Sequence, residues 1–84
     1  MRSVAEVGSI YPAMRWRDLY QLLSREPLNY VTVRQKGSHR TLEAEGRPSL
    51  LLAGHESDTC PPGLVRKVLT KDVGLTDEEA KRLL

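Results

Sequence analysis

The stretch Arg34-Gln35-Lys36-Gly37-Ser38-His39 holds the residue types best suited to chemistry. An imidazole titrates near neutrality, so His39 can both take and give a proton there. Arg34, Lys36 and the following Arg40 supply positive charge able to hold a phosphate or to steady charge developing on it. Gly37 permits a tight turn at which a phosphate can approach the backbone closely. Ser38 adds a hydroxyl, but no Asp-His relay accompanies it, so it reads as a turn hydroxyl rather than a nucleophile.

Other candidates are fewer. His55, Glu56 and Asp58 are metal-ligating types, but ligands this close in sequence rarely converge on one ion, and they read as a solvated loop. Cys60 precedes Pro61-Pro62 and reads as a helix-start residue. Arg66, Lys67 and Lys71 form a basic helix side that serves equally as a phosphate contact or a solvated face.

These groups need elements to position them. Trp16, Leu19, Tyr20, Leu22 and Leu23 share one helical face, so 16–25 is expected to be a helix ended by Pro27. Residues 29–35 are expected to be a strand on the strand formers Tyr30, Val31, Thr32 and Val33, with Val31 and Val33 inward and Thr32 and Arg34 outward. Lys36-Gly37 turns the chain into a returning strand over 38–44. Leu42 marks its core face, shared with Arg40 and Ala44, and leaves His39, Thr41 and Glu43 outward. Residues 49–53 form a third strand, apolar enough to be well buried. Pro61-Pro62 opens a helix with Leu64, Val65, Val68 and Leu69 inward, and Gly74 follows it as the C′ residue. Thr76 and Glu79 have the spacing of a capping box that starts a last short helix.

The expected fold class is therefore α+β: a small α-β-β-β-α sandwich with a short C-terminal helix. Both helices cover one sheet face. The open face carries Thr32, Arg34, His39, Thr41 and Glu43, with Lys36 at the turn. This is also the layout of double-stranded-RNA-binding domains.

Length and charge set the limits. With 84 residues the chain forms one domain, expected over 14–84 behind a flexible lead over 1–13. No apolar run approaches the roughly 18–20 residues of a membrane span, so no membrane role is expected. One cysteine excludes an intrachain disulfide. A cytoplasmic domain is the default. The net charge of +2 divides into +4 over residues 14–71 and −2 over residues 72–84. A basic body suits a polyanion partner.

The ordered set of helix 16–25, strand 30–33 and Arg34-Gln35-Lys36-Gly37-Ser38-His39 resembles the HicA toxins of bacterial toxin–antitoxin pairs. Gly63-Leu64-Val65-Arg66-Lys67-Val68-Leu69 and Gly74-Leu75-Thr76 match the second half of that pattern. The resemblance spans about 14–84. It implies a fold like a double-stranded-RNA-binding domain and metal-independent cleavage of mRNA without a small-molecule cofactor. It also implies inhibition by a HicB-type antitoxin. The catalytic histidine of the family falls on His39, with Arg34, Lys36, Gly37, Ser38 and Arg40 as RNA-binding neighbours. His55, Arg66 and Lys67 are accessory positions. Relatives often carry a second His or an aromatic just after the motif; here Arg40, Thr41 and Leu42 stand instead.

RNA brings its own nucleophile, the 2′-OH, so one proton-transferring group and some positive charge suffice. General acid–base catalysis by one group gives roughly 10²–10⁴-fold. Two other readings use the same face: a non-catalytic RNA-binding module, and a degenerate toxin kept for protein interaction.

Overall fold

The computed structural model describes residues 11–84. In chain order they form β1 (Met14–Arg15), α1 (Trp16–Ser24), β2 (Val31–Lys36), β3 (His39–Glu43), β4 (Leu50–Leu52) and β5 (Thr59–Cys60). Then come α2 (Pro62–Lys67), a π-helical turn (Val68–Asp72) and α3 (Asp77–Leu83). β2, β3 and β4 make an antiparallel meander in that order, and β1 pairs with β5 in a separate ladder. The expected α+β sandwich is present.

In α1, Trp16, Leu19, Tyr20, Leu22 and Leu23 are all buried, as their spacing requires. No side chain caps the start of this helix. The loop after β4 does so with its backbone: Trp16 N–H donates to the Asp58 carbonyl at 2.9 Å and Arg17 N–H to that of Glu56 at 3.1 Å. The loop is held further by Tyr20, whose hydroxyl donates to the Gly54 carbonyl at 2.7 Å. Gly54 has no alternative residue: a Cβ there would run into the Trp16 ring.

Leu42, Leu50 and Leu52 present the sheet's inner face to one core shared with α1, Val65, Val68 and Leu69. Each such burial contributes about 1.5–3 kcal/mol relative to exposure. The second helix departs from α geometry after Lys67. Val73 N–H bonds to the Val68 carbonyl, five residues back, at 2.9 Å. Gly74 then adopts φ +91°, and Leu75 N–H reaches the Leu69 carbonyl at 3.0 Å. Thr76 and Glu79 complete the capping box of α3 in both directions.

Three expectations change. Tyr30, not Val31, takes the inward position before the sheet: it is 1 % exposed, against 59 % for Val31. Register then shifts between Thr32, which faces Leu42, and Arg34, which faces Thr41. Val33 is thus a β-bulge, with two residues of β2 opposing one of β3. Because Leu42 is buried, its partner Thr32 belongs to the inner face, not the open one. Leu51 is 71 % exposed, since Leu50 and Leu52 take both inward positions of β4.

Of the lead expected over residues 1–13, residues 1–10 lie outside the described residues. Tyr11 is in the core at 2 % exposure, and its hydroxyl donates to the Asp77 carboxylate at the start of α3.

Candidate functional site

The site is built on the β2–β3 hairpin. Lys36 pairs with His39 across the two residues Gly37 and Ser38. Gly37 has φ +61°, the left-handed value that a two-residue type II′ hairpin demands of its first central residue. The tight turn puts Lys36 and His39 on one sheet face as a directly opposed pair. Opposed side chains on such a pair have Cβ atoms about 4.5–5.5 Å apart.

The next outward row crosses the whole sheet. Arg34 opposes Thr41, and Thr41 opposes Leu51. Rows on one face are two residues apart along a strand, or about 6.6 Å. The bulge at Val33 leaves this arrangement intact, because Arg34 and Lys36 both lie beyond it. Arg34, Lys36, His39, Thr41 and Leu51 together line one shallow groove of about 230 Å³ on the open face.

Electrostatically this groove is basic. Among the described residues, no ion pair involves Arg34, Lys36 or His39. All three are exposed. The charges of Arg34 and Lys36 are free to meet an anion, and the imidazole is open to solvent and substrate alike.

Other residues expected at the site lie elsewhere. Gly37 and Ser38 form the turn at the groove's end. Arg40 follows His39 in the chain and so points to the opposite face. There its guanidinium lies 4.2 Å from the centroid of the Tyr20 ring and its Nη2 is 2.8 Å from Glu56 Oε1. It joins sheet, helix and loop, and the structure does not bring it together with His39. His55 stands exposed in the loop after β4, outside the groove lining. Arg66 lies 3.9 Å from Asp77 on the helical side of the molecule, and Lys67, 3.3 Å from Asp72, lines a neighbouring cavity that Leu51 also borders.

Leu51 joins the groove without having been expected there, and Thr41, expected on the open face, lines it without having been assigned a role. Thr41 had a sequence signal, being on the same face as His39. The signal for Leu51 is alternation within Leu50-Leu51-Leu52, which a uniformly apolar run conceals. Among the described residues no three of His, Cys, Asp or Glu converge as metal ligands. No helix is long and apolar enough to cross a membrane among the described residues.

A family model described as HicA toxin of bacterial toxin-antitoxin matches residues 16–75. The chain belongs to the HicA toxin family. The match runs from the first residue of α1 to the residue after Gly74, so it contains the whole meander and the groove. Tyr11, β1 and α3 lie outside it. Membership makes the chain a toxin of a toxin–antitoxin system. HicA toxins are known as ribonucleases, and the family implies RNA as substrate and an antitoxin as partner. Comparisons with curated proteins and with solved structures returned no match.

Proposed function

We propose that this HicA toxin is an mRNA endoribonuclease that cuts with His39 as its proton-transferring residue and needs no metal. The observation that carries this reading is the shared groove: an exposed imidazole flanked by Lys36 and Arg34 on one rigid sheet face. The substrate supplies the nucleophile. The 2′-oxygen attacks the adjacent phosphorus, the bond to the 5′-oxygen breaks, and the 2′-proton leaves as the 5′-oxygen gains one. The products are a 2′,3′-cyclic phosphate and a free 5′-hydroxyl.

His39 serves one of the two proton steps. Lys36, directly opposite, lies within reach of the same phosphate and stabilises charge building on its oxygens. Arg34, one row further, holds a neighbouring phosphate. The arrangement lacks a second histidine, which fits slow turnover. The toxin works in the cytoplasm, where mRNA is found. A HicB-type antitoxin restrains it by covering the open face, whose exposed Val31 and Leu51 offer apolar contact beside the basic groove.

The test is incubation of purified wild-type and His39→Ala protein with mRNA. Wild type yields fragments ending in 2′,3′-cyclic phosphate, with or without EDTA. His39→Ala leaves the RNA intact while keeping the wild-type circular dichroism spectrum. Equal cleavage by both proteins removes His39 from the mechanism. Intact RNA with salt-sensitive binding by both marks a binding module instead.

A further inference from the structure

The groove contains two residues that proton transfer and phosphate binding do not use, Thr41 and Leu51. Leu51 stands on the edge strand β4 of the open face at 71 % exposure, the largest value among the exposed large apolar residues of the described chain. It closes the row Arg34–Thr41–Leu51 and lines the same groove as His39. The inner face of the sheet already has its apolar residues in Leu42, Leu50 and Leu52. Leu51 therefore contributes nothing to the core.

Its neighbours define what it can meet. Cations occupy the β2 side of the groove, a hydroxyl occupies the middle at Thr41, and the apolar group lies on β4. A nucleotide has this same order of chemistry. Its phosphate is anionic, its sugar is polar, and its base has an apolar face that an apolar side chain can cover when the base is unpaired. A chain running with phosphates over Arg34 and Lys36 directs its bases across β3 toward β4.

We infer that Leu51 and Thr41 form a nucleobase subsite. Leu51 is the platform for the face of an unpaired base next to the scissile phosphate, and Thr41 meets its polar edge or its sugar. The occupant is single-stranded RNA, since a base within a duplex has both faces covered by its neighbours. The inference rests on reading the His39 groove as the cleavage site, and it adds how the substrate is seated there. The subsite gives little preference between bases through Leu51, because every base has a face to lay on it.

The experiment separates base contact from cleavage. The probe is a ten-nucleotide single strand of 2′-O-methyl RNA, in which no 2′-oxygen is free to attack. Its affinity is measured for wild type, Leu51→Ser and Leu51→Met, beside a matched probe with the central bases removed. Leu51→Ser is expected to bind the full probe about tenfold more weakly, the lower end of what covering a leucine side chain gives, and Leu51→Met near wild type. The abasic probe is expected to bind wild type and Leu51→Ser alike. Equal binding of the full probe by wild type and Leu51→Ser overturns the subsite. So does a Leu51→Ser defect that persists on the abasic probe. Loss of antitoxin binding with unchanged probe binding assigns Leu51 to protein docking and overturns it as well. None of these outcomes depends on whether His39→Ala abolishes cutting, so the two readings fail separately.

Discussion

Arg40 lies over Tyr20, with its guanidinium carbon 4.2 Å from the ring centroid. The same guanidinium binds Glu56 at 2.8 Å, so one side chain ties β3 to α1 and to the loop that caps α1. A cation over a ring contributes about 0.5–2 kcal/mol, depending on desolvation. The ion pair adds little, since Glu56 is half exposed. Arg40→Ala is expected to lower stability to urea by about 1–2 kcal/mol and Arg40→Lys by less. RNA binding by the folded protein is expected to change little, because Arg40 faces away from the groove. A steep loss of RNA affinity at unchanged stability contradicts this placement.

Two glycines with opposite surroundings give opposite outcomes. Gly54→Ala forces a methyl onto the indole of Trp16, which is itself buried. The expected loss exceeds about 3 kcal/mol, with the loop and the start of α1 disturbed together. Gly63 sits within α2 with open space around its Cα. Gly63→Ala is expected to stabilise by about 0.5–1 kcal/mol through helix propensity. Thermal melts of the two variants check both signs.

The alkaline limit of the fold follows from its buried acids. Burial pushes the Cys60 thiol from 9.0 up to about 11. Burial, followed by the bond to Asp77, pushes the Tyr11 phenol from 10.0 up to about 12. Both groups are kept neutral by folding, so the stability they contribute is complete below their unfolded values. It is expected to fall from about pH 9 to 11 for Cys60 and from about pH 10 to 12 for Tyr11. Tyr11→Phe should flatten the upper part of that decline and Cys60→Ala the lower part. Urea titrations between pH 8 and 12 measure both.

The acid side has a different origin. Glu79 accepts from the Thr76 backbone, and this bond lowers its pKa below the usual 4.5. The capping contribution is present above pH 4.5 and is lost as pH falls through the lowered folded value. Glu79→Gln should remove that pH dependence. Thr76→Ala, which removes the reciprocal bond to Glu79 N–H, should cost about 1 kcal/mol at neutral pH. Helix content and urea midpoints followed from pH 3 to 7 test the pair.

Charge in the groove is open to a salt test. Each phosphate neutralised by Lys36 or Arg34 contributes about 0.7 to the slope of log affinity against log salt for a single strand. Lys36→Ala and Arg34→Ala should each lower the slope by about that amount. Arg66→Ala, on the helical side, should leave it unchanged. A larger change from Arg66 moves the RNA path to the helices.

Much of this architecture was legible in the sequence, and the misreadings have physical causes. The apolar period of α1, the glycine turn before His39, Gly74 and the capping box are local signals, and each stands where expected. The faces of β2 are not local. Tyr30, Val31 and Val33 are all strand formers, so composition alone gives no contrast between inward and outward positions. The bulge exists only as a relation between β2 and β3. Arg40 could be placed with its core neighbours Leu42 and Ala44, yet its partners Tyr20 and Glu56 are distant in the chain. Tyr11 stood alone in a stretch without periodicity, so nothing signalled that it fills the core.

Val33 has a consequence for how the chain tolerates change in length. It is the one residue of β2 without an opposing partner in the ladder. A chain lacking it would still set Thr32 against Leu42 and Arg34 against Thr41, with every side chain on its present face. Loss of Gln35 instead would shift residues on one side of the cut by half a pleat. The hairpin that presents His39 thus contains a single spare position, and shortening there is the one deletion that its alternation can absorb.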